Sequence, residues 1–179
     1  MHYRVIMEFW FAELPPSAWF GSSAELDNTI ASRFGDIHQA AIAGELYSWR
    51  HKPMGRLAEI IVLDQFSRNI FRNTPRAFAA DGQALVLAQE AIRVHAEAEL
   101  TPEQRVFLYM PYMHSESLAI QSASLRLYKT LGIEKNYDFA LAHQQIISRF
   151  GRYPHRNEIL GRPSSAEEQA FLQEAGSSF

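Results

Sequence analysis

The chain contains no cysteine, few lysines and no hydrophobic run of membrane-spanning length. Without cysteine, a disulfide framework and a thiolate zinc site are both excluded. No apolar stretch approaches the roughly 20 residues that a bilayer span requires. The apolar start from Val5 to Leu14 is interrupted by Glu8 and Glu13 and lacks the pattern of a secretory signal. We therefore expect a cytoplasmic protein with no membrane partner.

Lysine is scarce because arginine supplies almost all of the positive charge. Fourteen of the 17 basic residues are arginines, in a chain whose net charge is −3. A net negative charge argues against nucleic acid as a partner, whereas arginine suits fixed, bidentate ion pairs. From Ala140 to Ala166, four arginines stand against one acid and give a local charge of +3.

Strand signals are also scarce, and helical spacing recurs along the chain. The 179 residues suit a single domain over positions 1–179. We predict an all-α fold of seven or eight antiparallel helices joined by short loops. The predicted helices cover about 3–12, 24–43, 54–71, 76–97, 101–131 with a break, 137–149, and a last helix that ends at Gly176.

Two helix starts carry capping signals. Thr101 and Gln104 have the spacing of a capping box, with Pro102 at the first helical position. The last helix is predicted to begin at Ser164 or Ser165, since each has a glutamate three residues later.

Pro111 falls inside the helix that Thr101 opens. Proline removes a backbone donor and clashes with the preceding turn. We predict a break or kink within one turn of Pro111, which turns His114 and Glu116 inward, and a helix that resumes at about His114.

A first polar cluster lies on the third predicted helix. Asp64, Arg68 and Arg72 are spaced to share one helix face, and Gln65 and Asn69 lie beside them. One interpretation is an anion site in which Asp64 orients the arginines. The other is a solvated face with an ordinary ion pair.

A second cluster follows Pro111. His114 is a candidate acid, base or ligand, and Glu116 lies two residues later. Alternatively, His114 and Ser117 bond the carbonyls that Pro111 leaves without a donor.

A third cluster lies near the carboxyl end. His143 shares a helix face with Ile147 and is predicted to point inward. A constrained loop rich in donors follows. Such a loop is typical of a binding site, but Arg149 and Arg152 also suit the capping of helix carbonyls. The candidate residues are Arg149, Arg152, His155, Arg156 and Asn157.

The sequence gives no support for a metal or a cofactor. The histidines and Glu116 do not have the spacing of a helix-borne metal site. The chain also lacks a nucleophile elbow, a P-loop and a dinucleotide-binding fingerprint.

The motifs resemble those of the bacterial family catalogued as domain of unknown function 924. The resemblance covers nearly the whole chain, and its most specific stretch is 63–72, where Ser67 replaces a proline common in the family. Further matching motifs are Phe9-Trp10-Phe11, Trp19-Phe20, 107–116, Gln121, His143, 149–157, 160–162 and the tail Gly176-Ser177-Ser178-Phe179. The resemblance implies stacked, tetratricopeptide-like helical hairpins, and no activity, substrate or cofactor.

Two functions follow as alternatives. In the first, seven basic residues converge on one concave site for a small anion such as phosphate or a carboxylate. If that site is catalytic, we expect His114 or His143 as the general base, with Glu116 as a third candidate. In the second, the chain is a helical module that binds a peptide or protein partner. The seven residues are Arg68, Arg72, His114, His143, Arg152, His155 and Arg156.

Overall fold

The computed structural model describes residues 2–177, and every regular element in that range is helical. Eight helices in this range confirm the predicted all-α class. They are α1, Arg4–Glu8 with a π-helical continuation at Phe9–Glu13; α2, Ala24–Ile42; α3, Pro53–Ile61 continued by π-helical Val62–Phe66 and α-helical Ser67–Ile70; α4, Asp81–Arg93; α5, Pro102–His114; α6, Leu118–Leu131; α7, Glu134–Phe150; and α8, Ala166–Phe171.

The chain forms two compact units. The first extends to Arg72 and resumes over Arg76–Pro111, and the second comprises Asn73–Pro75 and the residues from Tyr112 onward. The single domain expected over residues 1–179 and the antiparallel order of the helices stay predictions.

Aromatic rings form the core of the first unit. Phe66 lies at the centre, with ring centroids 5.2 Å from Phe34 and 5.7 Å from Trp10. Trp10 in turn meets the Phe107 ring edge-on at 5.5 Å. Burying each such side chain stabilises the fold by roughly 1.5–3 kcal/mol. The two π-helical turns supply Trp10 and Phe66, so both turns face this core.

The start of α3 lies against the backbone of Trp49. A Cβ atom at Gly55 would overlap the Trp49 carbonyl. Only glycine fits such an approach, so the 3₁₀ turn Tyr47–His51 packs directly on α3.

In the second unit, α6 and α7 pack on each other. Gly132 and Gly151 end these helices with φ of +78° and +70°, the left-handed conformation that glycine adopts without strain. Ile146 and Ile147 of α7 form a core with Tyr153 and Phe171.

The predicted capping boxes are confirmed. The Gln104 amide donates to the Thr101 hydroxyl at 3.3 Å, and the Gln104 side chain accepts from the Thr101 amide at 3.0 Å. For the last helix, Ser165 is the cap, and Glu168 completes its box.

Four predicted helix bounds are wrong, two of them at the ends of α4. α4 begins at Asp81 instead of position 76, because Pro75–Phe78 forms a 3₁₀ turn with Arg76 lying 3.7 Å over the Phe71 ring. It also ends at Arg93, since His95 adopts a left-handed φ of +56°.

The other two bounds lie in the second unit. α6 begins at Leu118 instead of His114, and α8 ends at Phe171 instead of Gly176. In the tail motif, Ser178 and Phe179 lie outside the described residues. Among the helices of residues 2–177, none combines the length and hydropathy of a membrane crossing.

Candidate functional site

The Asp64 cluster is buried in the first unit and is not a solvated face. Asp64 is 1% exposed and Gln65 is 7% exposed. The Gln65 amide donates to Asp64 Oδ2 at 2.6 Å, and Arg68 Nη1 lies 3.3 Å from Asp64 Oδ1. The predicted solvated face is therefore wrong for Asp64 and Gln65, whereas the ordinary ion pair of that interpretation is present between Asp64 and Arg68.

Arg68 also binds a carboxylate that the sequence interpretation did not include. It donates two hydrogen bonds to Asp81 at 2.9 and 3.0 Å, and a third to the Asp64 carbonyl at 2.7 Å. Asp81 begins α4, so Arg68 links α3 to α4 in the first unit.

Arg72 binds Asp27 on α2, and not Asp64. Its Nη2 donates to Asp27 Oδ1 at 2.8 Å, and Asn69 Nδ2 donates to the same oxygen at 2.8 Å. Burial would raise the pKa of Asp27, but the bonds from Arg72 and Asn69 outweigh it and hold that pKa below its usual range. Arg72 and Asn69 therefore fasten α3 to α2.

The break predicted at Pro111 is confirmed. α5 ends at His114, within one turn of Pro111. His114 and Glu116 are both half-buried. The Gln121 side chain donates to the carbonyls of Met113 and Ser115, each at 2.7 Å. A glutamine on the next helix thus bonds the carbonyls at this end of α5.

The second unit gathers basic side chains around the buried ring of Tyr153. The His143 and His155 rings lie 5.7 and 5.5 Å from the Tyr153 centroid. The Arg156 guanidinium lies 4.6 Å over the same ring, and its Nη2 donates to the His114 carbonyl at 3.1 Å. We call His114, His143, His155 and Arg156 the basic cluster.

His143 is the innermost member of the basic cluster, 6% exposed. Burial lowers the pKa of His143 to about 3; its hydrogen bond to the Phe139 carbonyl opposes this shift, and the charges of His114, His155 and Arg156 add to it. The imidazole is therefore neutral near pH 7. Its Nδ1 donates to the Phe139 carbonyl over 2.7 Å, so Nε2 is the acceptor nitrogen. A general base needs a pKa near the working pH, so His143 suits ligand binding better than proton abstraction.

Glu116 has a structural role in the second unit. Arg162 donates to its two carboxylate oxygens at 2.7 and 2.9 Å, and the Tyr153 amide donates at 2.8 Å. Burial would raise the pKa of Glu116, but these bonds hold it below its usual range. A carboxylate held in its charged form is a poor general acid. Its bonds to the loop position Tyr153 in the basic cluster.

Arg149 and Arg152 do not cap α7, which corrects that interpretation. Arg149 Nε donates to Glu167 at 2.9 Å, and Arg152 donates to Glu168 at 2.6 and 2.8 Å. These bonds tie the end of α7 to α8, because both carboxylates lie in the first turn of α8.

Asn157 is fully buried and joins two loop segments. Its side chain donates to Ser164 at 3.0 Å and accepts from Arg162 at 2.9 Å. Like Arg149 and Arg152, it shapes the loop that carries His155 and Arg156.

The sequence interpretation missed Tyr153 and Gln121, which border the basic cluster, and Ser124, which lies three positions after Gln121 on the same face of α6. All three are fully buried, and the Tyr153 hydroxyl accepts from Gln121 over 2.8 Å. Tyr153 lies between two candidate arginines in the 149–157 motif, and this position could have identified it as a site residue. Ser124 carried none, because a lone serine in a helix is common.

The candidate residues thus form one group in each unit. Asp64, Gln65 and Arg68 lie together in the first unit, and Asn69 and Arg72 lie together on Asp27. The second unit holds the basic cluster and the residues that shape its loop. Convergence of both groups on one concave site stays a prediction. Over residues 2–177, no group of three or more His, Asp or Glu side chains is arranged to hold a metal ion.

Comparison with known proteins gives matches that are described as proteins of unknown function. Residues 6–176 match the model of a bacterial family described as proteins of unknown function, DUF924. The structure is similar to that of a protein of unknown function, ATU0120, from Agrobacterium tumefaciens, with a TM-score of 0.92 and 39% identity over 97% of each chain. The comparison with curated proteins gave no significant match.

Proposed function

We propose that this chain, which belongs to the DUF924 family of bacterial proteins of unknown function, binds a small anionic ligand at the basic cluster of its second unit. The observation that carries the proposal is the gathering of His143, His155 and Arg156 around the Tyr153 ring. Phosphate and carboxylate groups are the ligand classes that imidazole and guanidinium donors recognise.

The placement of Arg156 supports this site. Arg156 is buried, its guanidinium lies 4.6 Å over the Tyr153 ring, and its Nη2 donates to the His114 carbonyl. A buried positive charge is costly, and a bound anion lowers that cost.

Binding is the function proposed here, and His114 is the best remaining candidate for proton transfer. Glu116 is engaged by Arg162 and the Tyr153 amide. The low pKa of His143 makes it a weak base. His114 is half-buried at the end of α5, and its charge is among those that lower the pKa of His143.

A thermal-shift panel of inorganic phosphate, nucleotides and dicarboxylates tests the proposal. At 100-fold above its dissociation constant, a ligand adds about 2.7 kcal/mol of stability. For a chain of this length that raises the melting temperature by roughly 5–10 °C. We expect one class of anion to produce this shift.

Paired variants locate the binding. His155→Gln and Arg156→Gln should each lose most of the shift. The exposed residues His51 and Arg126 supply the matched controls His51→Gln and Arg126→Gln, which should keep it. If no anion stabilises the parent, or if the cluster variants respond like their controls, the anion site is wrong. The helical interaction module would then be the function to test.

A further inference from the structure

Two fully buried polar atoms on α6 have no hydrogen-bond partner. They are Gln121 Oε1 and Ser124 Oγ, on side chains that are both 0% exposed. The two residues are three positions apart on α6, so they are neighbours on one helix face. An unsatisfied buried polar group costs about 1–3 kcal/mol, so each atom calls for an explanation.

The orientation of the Gln121 amide is fixed by its surroundings. Its nitrogen lies 2.7 Å from two backbone carbonyls, those of Met113 and Ser115. Exchanging nitrogen and oxygen would place Oε1 against both carbonyl oxygens. Oε1 therefore faces away from the end of α5, as an acceptor that needs a donor.

Gln121 also contacts the proposed anion site directly. Its nitrogen lies 2.8 Å from the Tyr153 hydroxyl, and the Tyr153 ring is the one that His143, His155 and Arg156 surround. The acceptor at Gln121 and the basic cluster thus border the same tyrosine. Ser124 adds a hydroxyl, which both donates and accepts.

We infer that the ligand carries a hydroxyl group close to its anionic group, and that Gln121 Oε1 and Ser124 Oγ bind this hydroxyl. The inference rests on the proposed anion site. A bare phosphate dianion or carboxylate offers only acceptor oxygens and cannot donate to Gln121. A hydroxyl donates to Gln121 and accepts from Ser124, so it satisfies both atoms. The ligand class is therefore a small hydroxylated anion, such as a hydroxy acid or the phosphate ester of a polyol.

Matched pairs of anions test the inference, because each pair differs by the hydroxyl. The pairs are malate with succinate, and glycerol 3-phosphate with propyl phosphate. Titration calorimetry of the full chain gives the dissociation constants. We expect the hydroxylated member of at least one pair to bind about tenfold more tightly, which corresponds to one net hydrogen bond.

Ser124→Ala is the informative variant, since Gln121 also holds the end of α5. In this variant the preference should fall to about threefold or less. Ser122→Ala is the matched control: its hydroxyl donates to the Leu118 carbonyl on the same helix, and it should keep the tenfold preference. Melting temperatures of both unliganded variants show that they fold.

The outcomes separate this inference from the proposed function. If none of these anions binds the parent and no anion of the thermal-shift panel stabilises it, both fail; if only the panel anions act, the inference fails and the anion site stands. One contrary outcome is that the anions bind with no preference for the hydroxylated member of either pair, and another is that Ser124→Ala keeps the tenfold preference of the parent. In either case the ligand class is wrong while the anion site stands. A crystal structure of the complex with a water fixed between Gln121 and Ser124, and the ligand hydroxyl elsewhere, would also overturn the inference.

Discussion

The two units use their basic side chains differently. In the first unit, Arg50, Arg68 and Arg72 each donate two hydrogen bonds to a single carboxylate. In the second unit, such pairs also occur, but Arg156 stacks on Tyr153 among three histidines.

The difference shows why local charge in a sequence is a poor guide to a site. The four arginines between Ala140 and Ala166 are a surplus only within that window. Three of them bind glutamates outside it: Glu116, Glu167 and Glu168. The basic cluster is instead distinguished by the two histidines and the arginine that share the Tyr153 ring, and by the pKa of His143, which is lowered to about 3.

The largest expected effect comes from breaking a buried ion pair of the first unit. Arg50 binds Glu59, whose side chain is 0% exposed, at 2.6 and 2.7 Å. Arg50→Met leaves that buried carboxylate without its ion-pair partner and should lower the free energy of unfolding by about 3–5 kcal/mol. Urea denaturation at pH 7 measures the change. A loss below 1 kcal/mol would show that the pair does not stabilise the unit.

The second-largest effect concerns how the stability of the second unit depends on pH. The pKa of His143 is lowered to about 3 in the folded chain, so the unfolded chain binds more protons below pH 6.5. Stability should therefore fall as the pH falls from 6.5 toward 3, by roughly 2 kcal/mol between pH 6.5 and 4.5. His143→Gln removes the titrating group and should flatten this part of the curve. An unchanged slope would contradict the neutral, buried state of His143.

A smaller effect concerns the pair that ties α7 to α8. Hydrogen bonds from Arg152 and from the Ser165 amide lower the pKa of Glu168 to about 2, although burial opposes this shift. Because the folded pKa is lowered, this stability is present above about pH 4.5 and is lost as the pH falls toward 2. Glu168→Gln should cost about 1–2 kcal/mol at pH 7, since solvent partly screens Arg152, and little at pH 2.5. Denaturation of parent and variant at both pH values measures it, and an equal cost at both would refute the ion pair.

The smallest effect is a control within the first unit. Arg33 and Glu13 form a 2.6 Å pair, but both side chains are 43% exposed. Arg33→Met should change stability by at most about 1 kcal/mol. Comparison with Arg50→Met, in the same denaturation assay, isolates the effect of burying the carboxylate. Equal losses in the two variants would contradict that explanation.

The sequence by itself determined the helical class and many helix ends. Periodicity predicted seven or eight helices, and the capping residues Thr101 and Ser165 marked two starts correctly. Gly132 and Gly151 likewise marked two ends. These features depend on interactions within about four residues, which spacing in the chain records directly.

The partners of the basic residues were decided only by the tertiary structure. Arg72 binds Asp27, 45 positions away, and Arg162 binds Glu116, 46 positions away. The neighbours of Tyr153 come from three separate segments. Such contacts depend on which helix faces pack together, and residue types and local spacing leave many pairings of similar energy open. Burial then selects among them, because it fixes which charges need a partner.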